Sequence, residues 1–354
     1  DERTQTNWNG IVGRMELRAT DPAWLDDVQV YPDVEKRTAL VKAVVRNETG
    51  GPVEGKLEIG GQTYNTDKPS GIAAQSFPVK VAGETGGVEA VFKLGDDAPL
   101  WDEFHPAMIR LKLELTVRSP KDAMWRDGRE VSFGMRKFAT ERAQFSINGR
   151  PTFLRGKLDC AIFPLTGYPP MDKAGWLRVL GIAKSYGVNH YRFHSWCPPE
   201  AAFEAADELG MYLQPELPNK RSGFKAPEDA NAAVRNIDRL DVESTDSTTS
   251  LYDYALRESD LIFRDFGNHP SFVMYTLGNE LGRNEAMYEL VSRFKKVDPR
   301  HLYAQGSNNV HWNPHLAEGD EFWVTHKTRK DLPVRGAFFI GDYVGGGHID
   351  NLPP

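Results

Sequence analysis

The sequence predicts a multidomain chain in which an immunoglobulin-like β-sandwich is followed by a (β/α)8 TIM barrel, the barrel expected to be incomplete in this chain. Three observations carry that reading. Short alternating segments separated by Gly/Pro turns run over residues 21–140, strand-like and helix-like segments alternate over 141–354, and nearly every strand of the second part ends on polar residues. At 354 residues the chain is too long for one ordinary core, which agrees with more than one domain.

Composition narrows the partners. A formal net charge of -7 offers no basic stripe with which to neutralise phosphates, so nucleic acid and anionic membrane are poor partners and a neutral ligand fits better. No apolar run is long enough to span a bilayer, and the first ten residues lack the basic and apolar regions of a signal peptide. The expectation is a periplasmic or secreted protein whose leader has been removed, with a cytoplasmic location left open. Cys160 and Cys197 have no metal-ligand spacing, so two free thiols are expected ahead of a disulfide. His194, His311, His326 and His348 lie on different units and suggest hydrogen-bonding roles rather than a metal; no cofactor is expected.

Residues 1–20 carry the alternating stretch Ile11–Leu17 and read as the last strand of something larger. The sandwich strands follow as Val28–Val30, Ala39–Val45, Lys56–Ile59, Val88–Leu94, Ile109–Val117 and Glu130–Phe138. Asn47-Glu48-Thr49 fits a glycosylation sequon, a frequent accident on a strand-turn segment. Asn148-Gly149 then closes a hairpin, and the period changes.

Beyond it, strands are expected at Thr152–Asp159, Asn189–His194, Met211–Leu217, Phe272–Leu277, Leu302–Gln305 and Phe322–Thr325. Helices are expected at Asp172–Tyr186, Glu200–Leu209, Leu251–Phe266 and Glu285–Lys296. Asp172 is a candidate N-cap, and Pro198-Pro199 opens the second helix where missing N–H groups cost little. The polar segment 219–250 reads as a long loop.

Reactive groups of a (β/α)8 barrel sit at the carboxyl ends of its strands. Those ends here are Asp159; Arg192, His194 and Trp196; Glu216; Asn279 and Glu280; Asn308; and His326. Glu280 follows the apolar strand Phe272–Leu277, which would bury the approach to its carboxyl and raise its pKa toward a general acid's range. Asn279 offers an amide to a sugar hydroxyl. Taken alone, the dipeptide reads first as a cap of the next helix, with Leu281-Gly282 as a turn. Trp196, Trp312, Trp323 and Tyr343 could form a stacking wall for a sugar ring or simply be core.

Asn268–Phe272 leading into Leu277-Gly278-Asn279-Glu280 resembles glycoside hydrolase family 2, whose members include β-galactosidases, β-glucuronidases and β-mannosidases. The run Asn148–Gly156, the run Gly187–Arg192 into a Pro-containing turn, and Ala206–Tyr212 resemble it in the same order. The resemblance implies that Glu280 is the acid/base, Asn279 a contact to the 2-hydroxyl and Arg192 a support for the catalytic carboxylates. It also implies that residues 1–20 end a jelly-roll sugar-binding domain. Lys157-Leu158-Asp159-Cys160 and Phe193-His194-Ser195 depart from the family's pattern, so the sugar is not carried over.

A retaining glycosidase needs a second carboxylate roughly 5 Å from the first. At about 30 residues per βα unit it is expected near position ~370, beyond this chain, with Asp342 after an early seventh strand as the alternative. The function expected is a retaining exo-glycoside hydrolase acting on oligo- or polysaccharides. A non-catalytic carbohydrate-binding fragment with the same cleft is the alternative, and assembly into oligomers is left open.

Overall fold

The computed structural model describes residues 10–141, 144–218, 251–279, 285–306, 319–325 and 339–341. Two compact units divide them. One comprises Met15–Lys137 with Gly267–Pro270, the other the described residues of Asp1–Arg14, Phe138–Phe266 and Ser271–Pro354.

In the first unit the strands are β1 (Ala23–Asp33), β2 (Thr38–Asn47), β3 (Val53–Tyr64), β4 (Gly71–Val81), β5 (Thr85–Lys93), β6 (Met108–Arg118) and β7 (Met124–Phe133). They form two antiparallel sheets, ordered β1-β2-β5 and β4-β3-β6-β7. Alternation decides what each strand buries: in β6, Leu111, Leu113, Leu115 and Val117 point inward while Arg110, Lys112 and Glu114 do not. The inward rows of both sheets, Val41, Val45 and Phe92 from one and Leu57, Ile59 and Leu113 from the other, share a single core.

The sequence reading passed over β4. Its inward Phe77, Val79 and Val81 are apolar, but its outward face is mixed, with Ala73, Ala74 and Ser76, and Pro78 argues against a strand. The proline is tolerated because β4 is the edge of its sheet, where a missing N–H removes no ladder bond. Asn47 also differs from its sequence reading as a sequon. It is 4% exposed, and its Nδ2 donates to the carbonyls of Gly51 and Gly83, both at 2.9 Å. That amide is spent on holding two loops together.

The second unit opens with a three-stranded antiparallel sheet, β8 (Phe138–Glu141), β9 (Gln144–Ile147) and β10 (Arg150–Thr152). Asn148 and Gly149, with φ of 53° and 75°, make its tight hairpin turn. Parallel strands follow: β11 (Gly156–Asp159), β12 (His190–Phe193), β13 (Tyr212–Gln214), β14 (Met274–Thr276) and β15 (Leu302–Ala304). Bridges Leu213↔Phe272 and Glu216↔Thr276 join β13 to β14, so the five run side by side in chain order. That order is one of barrel staves; in a doubly wound sheet it reverses. A further parallel pair is β16 (Trp323–Thr325) with β17 (Phe339–Gly341).

Between the strands lie α1 (Lys173–Ser185), α2 (Glu200–Leu209), α3 (Leu251–Phe266) and α4 (Glu285–Val297). Asp172 caps α1, accepting from Gly175 N at 2.7 Å, and Gly210 ends α2 in the left-handed region at φ 69°. The alternating stretch Ile11–Leu17 forms no strand. Ile11, Met15 and Leu17 are exposed, since alternation becomes a strand only where a neighbouring backbone completes the ladder.

Asn47→Ala should remove the Nδ2 bonds to the Gly51 and Gly83 carbonyls in a part-buried corner and cost about 1 kcal/mol. Urea denaturation should show a lower midpoint at unchanged slope; an unaltered midpoint would mean the two loops are held by other contacts.

Candidate active site

Register fixes which strand residues share a face. Gly156, His190 and Tyr212 lie opposite one another, as do Leu158, Arg192 and Gln214, and Glu216 lies across from Thr276. The intervening residues Tyr191, Phe193, Leu213, Tyr275 and Tyr303 belong to the apolar core under the helices, so the first set lines the strands' other face. A polar set on that face is what a ligand-binding barrel requires.

Three hydrogen bonds of 2.7 Å organise its carboxyl end. Arg192 Nε donates to Glu216 Oε1, Arg192 Nη2 donates to Asn279 Oδ1, and Ser195 Oγ donates to Glu216 Oε2. The ion pair is sealed from water, with side-chain exposures of 2% for Arg192 and 0% for Glu216. A guanidinium has only N–H groups to offer, so the Asn279 amide must turn its oxygen to Arg192, and its NH2 becomes the end available for donation. Gly278, at φ 134°, lets the chain leave β14 by a turn that other residues rarely adopt, bringing Asn279 back over the strand end.

Deeper on the same face, burial pushes His190 down to about 4, with the Arg192 charge lowering it further and Gln214 opposing, so the imidazole is neutral. Its ring fits because the strand neighbour is Gly156; a Cβ there would lie 3.0 Å from His190 Cδ2. His194, at the end of β12, places Nδ1 3.5 Å from Cys160 Sγ at the end of β11. The two cysteines are not disulfide-bonded to each other.

Arg192, Glu216 and Asn279 are thus brought into one network, and His194 forms a separate contact with Cys160. Asp159 and Trp196 are placed elsewhere. Asp159 shares its register position with Phe193, on the helix-facing side, where Oδ1 accepts from Ala161 N at 2.9 Å and Oδ2 from Lys157 Nζ at 3.2 Å. Trp196, 9% exposed, packs edge-on to Phe193 at 5.2 Å and donates Nε1 to the Asp159 carbonyl. Position at a strand end did not distinguish these from the residues of the Arg192 network; odd or even register did. Glu280, Asn308, His326 and Asp342, the Trp312 and Tyr343 of the stacking wall, and the side chain of Trp323 lie outside the described residues. Sequence reasoning missed Ser195 as a partner of Glu216. Its hydroxyl three residues past Arg192 was the available signal.

The fold and this polar strand-end cluster define a (β/α)-barrel domain of the kind that carries its chemistry at the carboxyl face. The model for "Glycosyl hydrolases family 2, TIM barrel domain" matches residues 138–318, and the chain belongs to glycosyl hydrolase family 2. Among its relatives, a β-galactosidase of Lactococcus lactis is 27% identical over 226 residues, covering 63% of this chain and 20% of the relative. A β-glucuronidase of Streptococcus agalactiae is 26% identical over 219 residues, covering 58% of this chain and 33% of the relative. The structure of Bacteroides uniformis β-glucuronidase 2 covalently bound to cyclophellitol-6-carboxylate aziridine superposes with a TM-score of 0.65 at 18% identity, over 86% of this chain and 37% of that one. The chain therefore spans about a fifth to a third of the length of these curated relatives.

Two outcomes follow from the burial of these groups. Between pH 6.5 and 4 the unfolded chain takes up a proton at His190 that the folded one refuses, so stability is fully present above that window and falls by about 3 kcal/mol as pH drops through it. Denaturant midpoints across pH 4–7 should slope accordingly in the native protein and lose that component in His190→Gln. Glu216→Ala leaves the Arg192 charge buried without its carboxylate and should cost about 3–5 kcal/mol, read as a fall in the thermal midpoint.

Proposed function

We propose that the intact protein is a retaining exo-glycoside hydrolase that removes a terminal sugar from an oligo- or polysaccharide, with Glu280 as general acid/base. The observation that carries this reading is the Arg192 donation to Asn279 Oδ1. It presents the Asn279 amide NH2 as a donor one residue before Glu280, where a bond to the 2-hydroxyl would strengthen as positive charge develops on the sugar ring.

The chemistry proceeds in two displacements. Glu280 protonates the glycosidic oxygen while a second carboxylate attacks the anomeric carbon from the opposite face and the aglycone leaves. Glu280, now ionised, then takes a proton from water as that water displaces the carboxylate, returning the acid to its starting form. A covalently bound aziridine in the structurally similar β-glucuronidase supports a mechanism with a covalent sugar intermediate. The second carboxylate has two places: Asp342, one residue past β17, or a residue that this chain does not contain. β17, the strand that precedes Asp342 in the sequence, pairs in parallel with β16.

The front unit fits the immunoglobulin-like sandwich of such enzymes, its seven strands split three and four with β2 to β3, β4 to β5 and β5 to β6 crossing between sheets. The barrel is completed by βα units in addition to those described.

Glu280→Gln should remove turnover of activated aryl glycosides while the variant still binds sugar by calorimetry; unchanged kinetics would sink the assignment. In a parallel series, Asp342→Asn should lose activity and regain it with azide if Asp342 is the nucleophile. Wild-type kinetics would place the nucleophile outside this chain.

A further inference from the structure

We propose that Ser195 and Glu216 are positioning residues that fix the donor polarity of Asn279 through Arg192, making the glycone site selective for a hydrogen-bond acceptor at the position Asn279 faces. The inference rests on the glycosidase reading above and adds two residues to it.

Each oxygen of the Glu216 carboxylate has a different partner. Oε1 takes Arg192 Nε, and Oε2 takes the Ser195 hydroxyl. The terminal torsion of a glutamate is broad, so one bond alone would leave the carboxylate free to swing. Two bonds on opposite oxygens pin it. A guanidinium is a rigid planar fork, so a carboxylate that holds Nε in place also sets the direction of Nη2. Nη2 is the group that holds Asn279 Oδ1.

The chain leaves the strand through Gly278 at φ 134°, and the plane of the Asn279 amide is set by the bond its oxygen accepts from Arg192 Nη2. The amide is thus oriented by a relay of three side chains, Ser195, Glu216 and Arg192, and is itself the group that reaches the ligand. Ser195 lies at the far end, half-buried, on the segment that follows β12. Its loss removes no charge but takes one donor from Glu216 Oε2, so the carboxylate is held less firmly. Glu216, 0% exposed, carries the middle of the relay and cannot itself touch a sugar.

Misaiming one donor that tightens in the transition state should cost about tenfold in kcat/KM. In the intact protein, Ser195→Ala should show that loss, chiefly in kcat, on an aryl glycoside, and Ser195→Thr should restore it. On the matching 2-deoxy aryl glycoside, Ser195→Ala and wild type should be equal, since the acceptor that Asn279 serves is gone. An equal penalty on both substrates, or none on the parent glycoside, overturns the proposal. A wild type that cleaves no glycoside overturns the glycosidase reading instead, and a second measurement then judges the relay by itself. The side-chain amide resonances of Asn279, assigned by their loss in Asn279→Ala, should be sharp in wild type and Ser195→Thr and exchange-broadened in Ser195→Ala. Identical amide spectra in a Ser195→Ala variant of unchanged melting temperature would refute the relay whatever the substrate.

Discussion

Arg192 and Glu216 sit face to face where water does not reach, and the carboxyl end of the strands is organised around that pair. Neither charge is tolerable alone at that depth, and their mutual attraction is joined by further hydrogen bonds on both partners. The carboxylate is held on both oxygens, and the guanidinium spends one arm on it and another on Asn279. The pair also depresses its surroundings. His190 stays neutral below it, because burial and a neighbouring guanidinium both oppose a second cation.

Two cores support the chain in different ways. The front unit is built from strands of nine to twelve residues whose alternate side chains meet between two sheets, so hydrophobic period specifies most of it. The second unit relies on parallel strands of three or four residues that end soon after they begin. Such short strands gain little from the ladder itself. Their registration comes from the aromatic layer beneath the helices, where Phe263, Phe272, Tyr275, Phe294 and Tyr303 pack ring against ring.

This difference explains what could be read from the residues. The helices α1 to α4 fall within a residue of their expected bounds, because capping at Asp172 and Gly210 and an apolar stripe are local signals. The hairpin at Asn148-Gly149 is equally local. Strand β4 was hidden by Pro78, whose tolerance depends on which strand is the edge, a property of topology. At the site, the residues at strand ends could be found, but Asp159 could not be told from Arg192 without knowing which face each occupies. Ser195 escaped notice for the opposite reason: a serine beside a strand is ordinary until a buried carboxylate is found across from it.

The alternation along β12 has a further consequence, evolutionary rather than mechanical. Tyr191 and Phe193 belong to the core, while His190 and Arg192 face the opposite way. Odd and even positions of one strand therefore answer to separate selective pressures. Substitutions at Cys160 and His194, beyond the ladder and outside the Arg192–Glu216 pair, can change the strand-end surface without loosening that pair or the aromatic layer that keeps the strand in place. A lineage built on this plan can diversify its ligands while its architecture stays put, as expected where a shared fold survives at 18% identity.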